Sequence, residues 1–167
     1  WGNLHYSGEG VNQLEHALQT ASLAQEARAS DALITAALLH DIGHLLNRQG
    51  ETPSVQGIDD RHQHFAAHFL KEFFPESVTE PIRLHVEAKR ALCALEAQYY
   101  DQLSEDSKRS LLLQGGVFSS LQLNAFMTKP FAEDALRLRC WDDLAKIKGK
   151  QTPHLAVFLD IAQTVLR

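Results

Sequence analysis

Apolar residues fall into helical spacing near the start of the chain. Leu14, Ala17, Leu18, Ala21 and Ala24 follow i, i+3, i+4 steps and predict a helix over 12–28 with Asn12 as its N-cap. The next run, ALITAALLHDIGHLL, opens at a Ser30-Asp31 cap and is nearly apolar all round, so it predicts a central helix reaching residue 46. A polar stretch over 47–61, containing Gly and Pro, then interrupts the pattern. A segment of that length is either a solvated loop or a cover over a ligand. Phe65, Ala66, Phe69, Leu70 and Phe73 restore the period over 62–74, and Pro75 stops it. Further helices are predicted over 78–97, 104–113, 119–126, 130–149 and 154–166. Gly115-Gly116 divides the third-last pair, and the final helix is expected to open with Thr152 as cap and Pro153 in its first turn. No stretch alternates with period two and no repeat is evident. The expectation is an all-α helical bundle forming one domain over 1–167.

Composition narrows the partners. With 16 basic and 21 acidic residues the formal charge is −5, which offers no broad electrostatic footprint for nucleic acid or an anionic membrane. No segment approaches the roughly 18 consecutive apolar residues of a membrane span. Cys93 and Cys140 are the only cysteines, each in an apolar helical context, so a reducing compartment and hence the cytoplasm are expected. Spacing carries no information on oligomeric state.

Nine histidines change the picture, because several sit inside helical patterns. His40 and Asp41 lie side by side within the most apolar run, and a buried carboxylate without a partner costs several kcal/mol. The two side chains are about 100° apart around a helix, so a metal between them needs ligands from other helices. His16, His62, His85 and Asp142 are the candidates, each on its own helical segment, as in bundles whose facing side chains converge on metal. Imidazole and carboxylate together suit Fe, Mn, Zn, Co or Ni. Two ions would use six ligands sensibly: His16, His40 and Asp142 on one, His62 and His85 on the other, and Asp41 bridging. Such a pair leaves a positive centre for an anionic ligand. Other readings of the same residues stay open: His62 as a surface residue, His85 as a hydrogen-bonded core residue, Asp142 as an i,i+4 partner of Lys146.

The joint pattern His16…His40-Asp41…Asp142 resembles the HD-domain superfamily of helical metalloenzymes, mostly phosphohydrolases, and His62 with His85 resembles its two-metal subset. Within that subset YSGE at 6–9, LLHDIGHLL at 38–46, RLHVEAKRAL at 83–92, SLLLQGG at 110–116 and RLRCWDDLAK at 137–146 resemble the PhnZ-like phosphonate oxygenases, relatives of myo-inositol oxygenase. The resemblance implies a mixed-valent Fe(II)/Fe(III) pair and O2 as co-substrate. It implies oxidative C–P cleavage of a 2-amino-1-hydroxyethylphosphonate, as primary amine or N-methylated or trimethylammonium form, giving phosphate and glycine or glycine betaine. By the same resemblance Tyr6 occupies an iron position until substrate displaces it, and Glu9 is its partner on the loop. His44, one turn after His40, is expected to donate to bound substrate or oxygen. Lys89, one turn after His85, and Arg139, one turn before Asp142, place cations where a phosphonate dianion would bind. Ser107 and Ser110 could add hydroxyl donors. His5, His64, His68 and His154 match no role. The main alternative is metal-dependent hydrolysis of a phosphate ester or nucleotide by the same ligands. A catalytically silent interaction module is the other, and it would lack ligands.

Overall fold

The computed structural model describes residues 10–47 and 53–167, so Tyr6, Glu9 and His5 lie outside the described residues. Helix α1 (Gln13–Glu26) starts with a reciprocal cap: Asn12 accepts the Glu15 N–H at 2.8 Å, and the Glu15 carboxylate accepts the Asn12 N–H at 2.9 Å. Helix α2 (Asp31–Leu39) is capped by Ser30 and buries Leu33 to Leu38 on every side, as its uniformly apolar sequence requires.

The helix expected to continue to residue 46 is in fact two. The chain turns at His40 and Asp41, and α3 (Ile42–Asn47) follows. Two local bonds account for the break. His40 Nδ1 donates to the Ala37 carbonyl at 2.9 Å, and the His44 N–H reaches Asp41 O at 3.0 Å, one residue short of an α-helical bond.

A 3-10 turn (Pro53–Gln56) and residues 57–61 lead into α4 (His62–Leu70). Arg61, the residue before α4, is left-handed at φ 52° and makes no side-chain cap. Helix α4 ends four residues before its predicted limit, and a turn over 71–74 leads from it to Pro75. Helix α5 (Glu76–Leu95) begins directly after Pro75. It is followed by a short α6 (Tyr99–Gln102) that periodicity did not reveal. Then come α7 (Glu105–Leu113), α8 (Ser120–Met127), α9 (Ala132–Leu144) and α10 (Leu155–Gln163).

Two further boundaries depart from expectation. Helix α9 stops at Leu144, five residues before the predicted 149, because the chain beyond it bonds to α1. Ile147 exchanges two hydrogen bonds with the Gln19 side chain, at 2.9 and 3.0 Å, and the Ala145 carbonyl accepts from His16 Nδ1. Helix α10 is capped by the His154 ring, which accepts from the Ala156 N–H at 3.3 Å, and not by Thr152. No β-strand occurs among the described residues.

The main core gathers Ala21 and Ala24 of α1, Leu33, Ala36 and Ala37 of α2, Ala66 and Leu70 of α4, Val78 and Ile82 of α5, Leu138 of α9 and Phe158 of α10. A second cluster joins Leu84 and Ala88 of α5 to Phe126 of α8 and Ala135 of α9. The long helix α5 therefore belongs to both cores. Its buried face carries His85 and Lys89 between them. No helix among the described residues is long and apolar enough to cross a membrane.

Candidate active site

Four helices and the α2–α3 break bring six side chains to one point. His16 comes from α1, His40 and Asp41 from the break, His62 from the first position of α4, His85 from α5 and Asp142 from α9. All six are buried. The four imidazoles share one arrangement, in which Nδ1 faces an acceptor. His16 Nδ1 lies 2.9 Å from Ala145 O, His40 Nδ1 2.9 Å from Ala37 O, His85 Nδ1 2.6 Å from Ile82 O and His62 Nδ1 2.8 Å from Asp60 Oδ1. Carbonyl and carboxylate oxygens only accept, so the proton sits on Nδ1 and each Nε2 keeps its lone pair.

Those lone pairs point at one another. His16 and His40 Nε2 are 3.2 Å apart, and His62 and His85 Nε2 are 3.1 Å apart. With both Nδ1 atoms protonated, neither contact is a hydrogen bond between neutral rings, and a cation is what such a pair of acceptors can share. The carboxylates complete two clusters. Asp41 Oδ2 lies 3.6 and 3.4 Å from His16 and His40 Nε2, and Asp142 Oδ1 lies 3.3 and 3.9 Å from the same atoms. Asp41 Oδ1 lies 3.5 and 3.8 Å from His62 and His85 Nε2. Four donors at tetrahedral corners about 2.1 Å from a metal stand about 3.4 Å apart, the spacing seen here.

The donor chemistry agrees with the spacing. Both oxygens of Asp41 and Oδ1 of Asp142 are buried without a hydrogen-bond donor. An orphaned carboxylate in such a place is costly unless it binds a cation. Burial pushes the His40 and His85 rings below the ordinary histidine range, keeping them neutral as ligands must be. Burial alone would raise the Asp41 carboxyl, but the imidazoles around it, the protonated His44 among them, outweigh it and lower Asp41 below the ordinary carboxylate range. The residues present could therefore hold two metal ions with Asp41 between them.

A pocket opens beside this cluster, walled by Asp41, His44, His62, His85, Lys89, Ser107, Ser110 and Arg139, and covered by Pro53, Ser54 and Ile58. The predicted loop 47–61 is thus, over its described part, a wall of the pocket. Lys89 is buried and donates to Ser110 Oγ at 2.7 Å. Burial, reinforced by Arg139, lowers its ammonium to about 7. His44 lies beside Asp60, 2.6 Å from Nδ1 to Oδ2. Burial opposes its charge, but Asp41 and Asp60 raise it to about 9, so its Nε2–H is a donor at neutral pH.

Arg139 reaches the pocket wall with most of its N–H groups already taken. Nη1 donates to Asp142 Oδ2 at 2.8 Å, Nη2 to Asp143 and to Ser107 Oγ at 3.3 Å, and Nε to Asp143 Oδ2 at 3.1 Å. The Tyr99 hydroxyl also donates to Asp143. Arg139 thereby neutralises the Asp142 oxygen that faces away from the histidines, and Lys89 is the less committed cation of the pocket. His64 and His68 are exposed on α4.

Sequence reasoning missed Asp60, Asp143, Tyr99 and Gly43. Asp60 had a signal in DDRHQH, where it stands two residues before a candidate ligand. Gly43 had one in HDIGH, since a glycine inside a helical run needs a reason. The reason is contact: a Cβ built at Gly43 would lie 1.9 Å from the His62 carbonyl oxygen. Gly43→Ala is expected to push the start of α4 off α3, destabilise the fold by about 3 kcal/mol or more and weaken binding of the ion at His62. Thermal denaturation together with metal analysis checks both effects.

Comparison with known proteins adds independent findings. A family model described as HD domain matches residues 14–162. The chain is 48% identical over 148 residues to hydroxymethylphosphonate dioxygenase of Gimesia maris, covering 88% of this chain and 74% of that one. It is 36% identical over 166 residues to the glycine-betaine-forming 1-hydroxy-2-(trimethylamino)ethylphosphonate dioxygenase of Leisingera caerulea, covering 99% of this chain and 84% of the relative. An uncharacterized protein of Acanthamoeba polyphaga mimivirus is 31% identical over 163 residues, covering 96% of this chain and 74% of that one.

Proposed function

The chain belongs to the HD-domain family, within its phosphonate-cleaving branch, and on that premise we propose that it uses O2 to break the C–P bond of a C1-hydroxylated phosphonate. The reaction balances as R–CH(OH)–PO3H2 + O2 → R–COOH + H3PO4. An aminomethyl group as R gives glycine, and a trimethylammoniomethyl group gives glycine betaine. The relatives' names share the hydroxyl and phosphonate on C1 and differ in what C1 carries besides. The observation that supports this reading best is the sharing of Asp41 between two histidine sets at the base of a pocket that also holds Lys89.

In this reading His16, His40 and Asp142 would hold one iron and His62 and His85 the other, with Asp41 shared between them. An Fe(II)/Fe(III) pair supplies the redox chemistry with O2 that side chains lack. The chain's own residues bind and orient the substrate. Lys89 and the Ser107 and Ser110 hydroxyls donate to phosphonate oxygens, with Arg139 behind them, and the His44 Nε2–H donates to the bound anion. The roles that resemblance gives Tyr6 and Glu9 belong to the same proposal. The free thiols of Cys93 and Cys140 fit a cytoplasmic enzyme of catabolism.

The test is phosphate release from iron-loaded protein given 2-amino-1-hydroxyethylphosphonate, its trimethylammonium analogue or hydroxymethylphosphonate, in air and under strict anaerobiosis. Release in air alone from at least one compound is the expected result. Release of phosphate from a phosphate ester without O2, with all three phosphonates untouched, would overturn it in favour of hydrolysis.

A further inference from the structure

Asp60 is buried on the segment between the 3-10 turn and α4, and it touches two rings with different positions in the site. Its Oδ1 lies 2.8 Å from His62 Nδ1 and also accepts the His62 backbone N–H at 3.3 Å. Its Oδ2 lies 2.6 Å from His44 Nδ1. The two rings stack on each other, with centroids 4.0 Å apart and planes inclined by 23°. The Asp60 backbone is held as well, since Asn47 Nδ2 donates to its carbonyl at 3.2 Å. Beyond the carboxylate the two Nε2 atoms diverge in task. That of His62 joins the cluster around Asp41 Oδ1, and that of His44, 3.8 Å from the same oxygen, borders the pocket.

We propose that Asp60 is a positioning residue that aligns both imidazoles at once, fixing His62 as a ligand of one ion and His44 as a donor toward the substrate. This inference rests on the reading of the six donors as two metal sites. The carboxylate suits the task because it has two acceptor oxygens and no proton to give. Each ring must then turn its Nδ1–H toward Asp60 and its Nε2 toward the centre. His16, His40 and His85 are oriented instead by backbone carbonyls, each serving a single ring. Asp60 is therefore the one place among these contacts where a single side-chain change disturbs two rings.

Asp60→Asn keeps the size and breaks the symmetry, because an amide offers one acceptor and one donor group. With its oxygen toward His62, its NH2 faces His44 and forces that Nδ1 to accept. Titration of the metal-free protein with Co(II), followed by its visible absorption, reads the ligand side without O2 or phosphonate. The expected result is two Co(II) per chain in parent and variant, with one of the two bound about 10- to 100-fold more weakly in the variant and the other unchanged. Parental affinity for both ions would overturn the proposal. Should the variant fail to fold, nitrogen-15 spectra of the histidine rings in the Zn(II)-loaded parent decide instead. An Nδ1-bound proton on both His44 and His62 is expected, and an unprotonated Nδ1 on either would contradict it. Failure of the oxygenase reading would leave the cobalt result intact. Parental cobalt binding in the variant would equally leave that reading intact.

Discussion

Asp41→Ala is expected to abolish loading with two ions and to lower turnover below about one-thousandth of the parent's, equal to about 4 kcal/mol of transition-state stabilisation. The reason is geometric. Among the described residues Asp41 is the only carboxylate whose two oxygens face the two histidine pairs, Oδ2 toward His16 and His40 and Oδ1 toward His62 and His85. Its removal leaves His16, His40 and Asp142 as three donors and His62 with His85 as two, so the second site suffers more. Metal analysis of purified protein reads this directly. A variant that still carries two tightly bound ions would refute the bridge. Asp41→Asn separates charge from shape, since the amide keeps one oxygen and loses the anion. It is expected to retain at most one ion.

Lys89→Met is expected to do two opposite things, weakening substrate binding while strengthening the fold. A charge-assisted hydrogen bond contributes about 1.5–3 kcal/mol, so KM for the phosphonate should rise roughly 10- to 100-fold. Metal content should stay at the parental level. The effect on stability follows from proton linkage. In the unfolded chain Lys89 keeps its proton up to about 10.5, whereas burial and Arg139 lower it to about 7 in the folded protein. A lysine shifted downward costs the fold stability in full below pH 7, and the cost disappears as pH rises toward 10.5. Met removes that cost while filling similar space, for a gain of about 1–2 kcal/mol, or roughly 2–8 °C in Tm, at pH 6–7. The gain should shrink by pH 10. Thermal denaturation of the metal-free proteins at the two pH values checks the sign, and an equal or lower Tm for the variant at pH 6 would contradict it.

Much of the site was legible because its residues break a pattern. His40 and Asp41 interrupt the most apolar run of the chain, His16 and His85 share the buried faces of α1 and α5, and burial demands a partner for all four. His62 and Asp142 stood less clearly, since either could have faced solvent, and their places emerge only with the packing of α4 and α9 against α5. Helix α1 and the start of α2 were readable from period and caps, and α5, α7 and α8 from period within a residue or two of their ends. The break at His40-Asp41 was not, because the residues around it are all compatible with a helix and the interruption comes from the His40 ring bonding the Ala37 carbonyl. Helix α9 ends early for a tertiary reason as well: Gln19 on α1 takes the backbone of Ile147.

The residues that hold the working groups in place were the least visible. Asp60 and Asp143 are carboxylates in sequences where a surface role is the ordinary reading. Asp60 stands two residues from His62 and Asp143 one helical turn from Arg139, but their other partners, His44 and Tyr99, meet them only in three dimensions. Gly43 belongs to the same class, since its need to lack a side chain is set by the His62 carbonyl of a different helix.

The most direct test of C–P cleavage by O2 is to follow O2 uptake and phosphate release together, in a closed vessel, with the iron-loaded protein and the best of the three hydroxyphosphonates. One phosphate released per O2 consumed, with the carboxylic acid formed in equal amount, is the expected result. Phosphate released without O2 uptake, or O2 consumed with no phosphate formed, would contradict it.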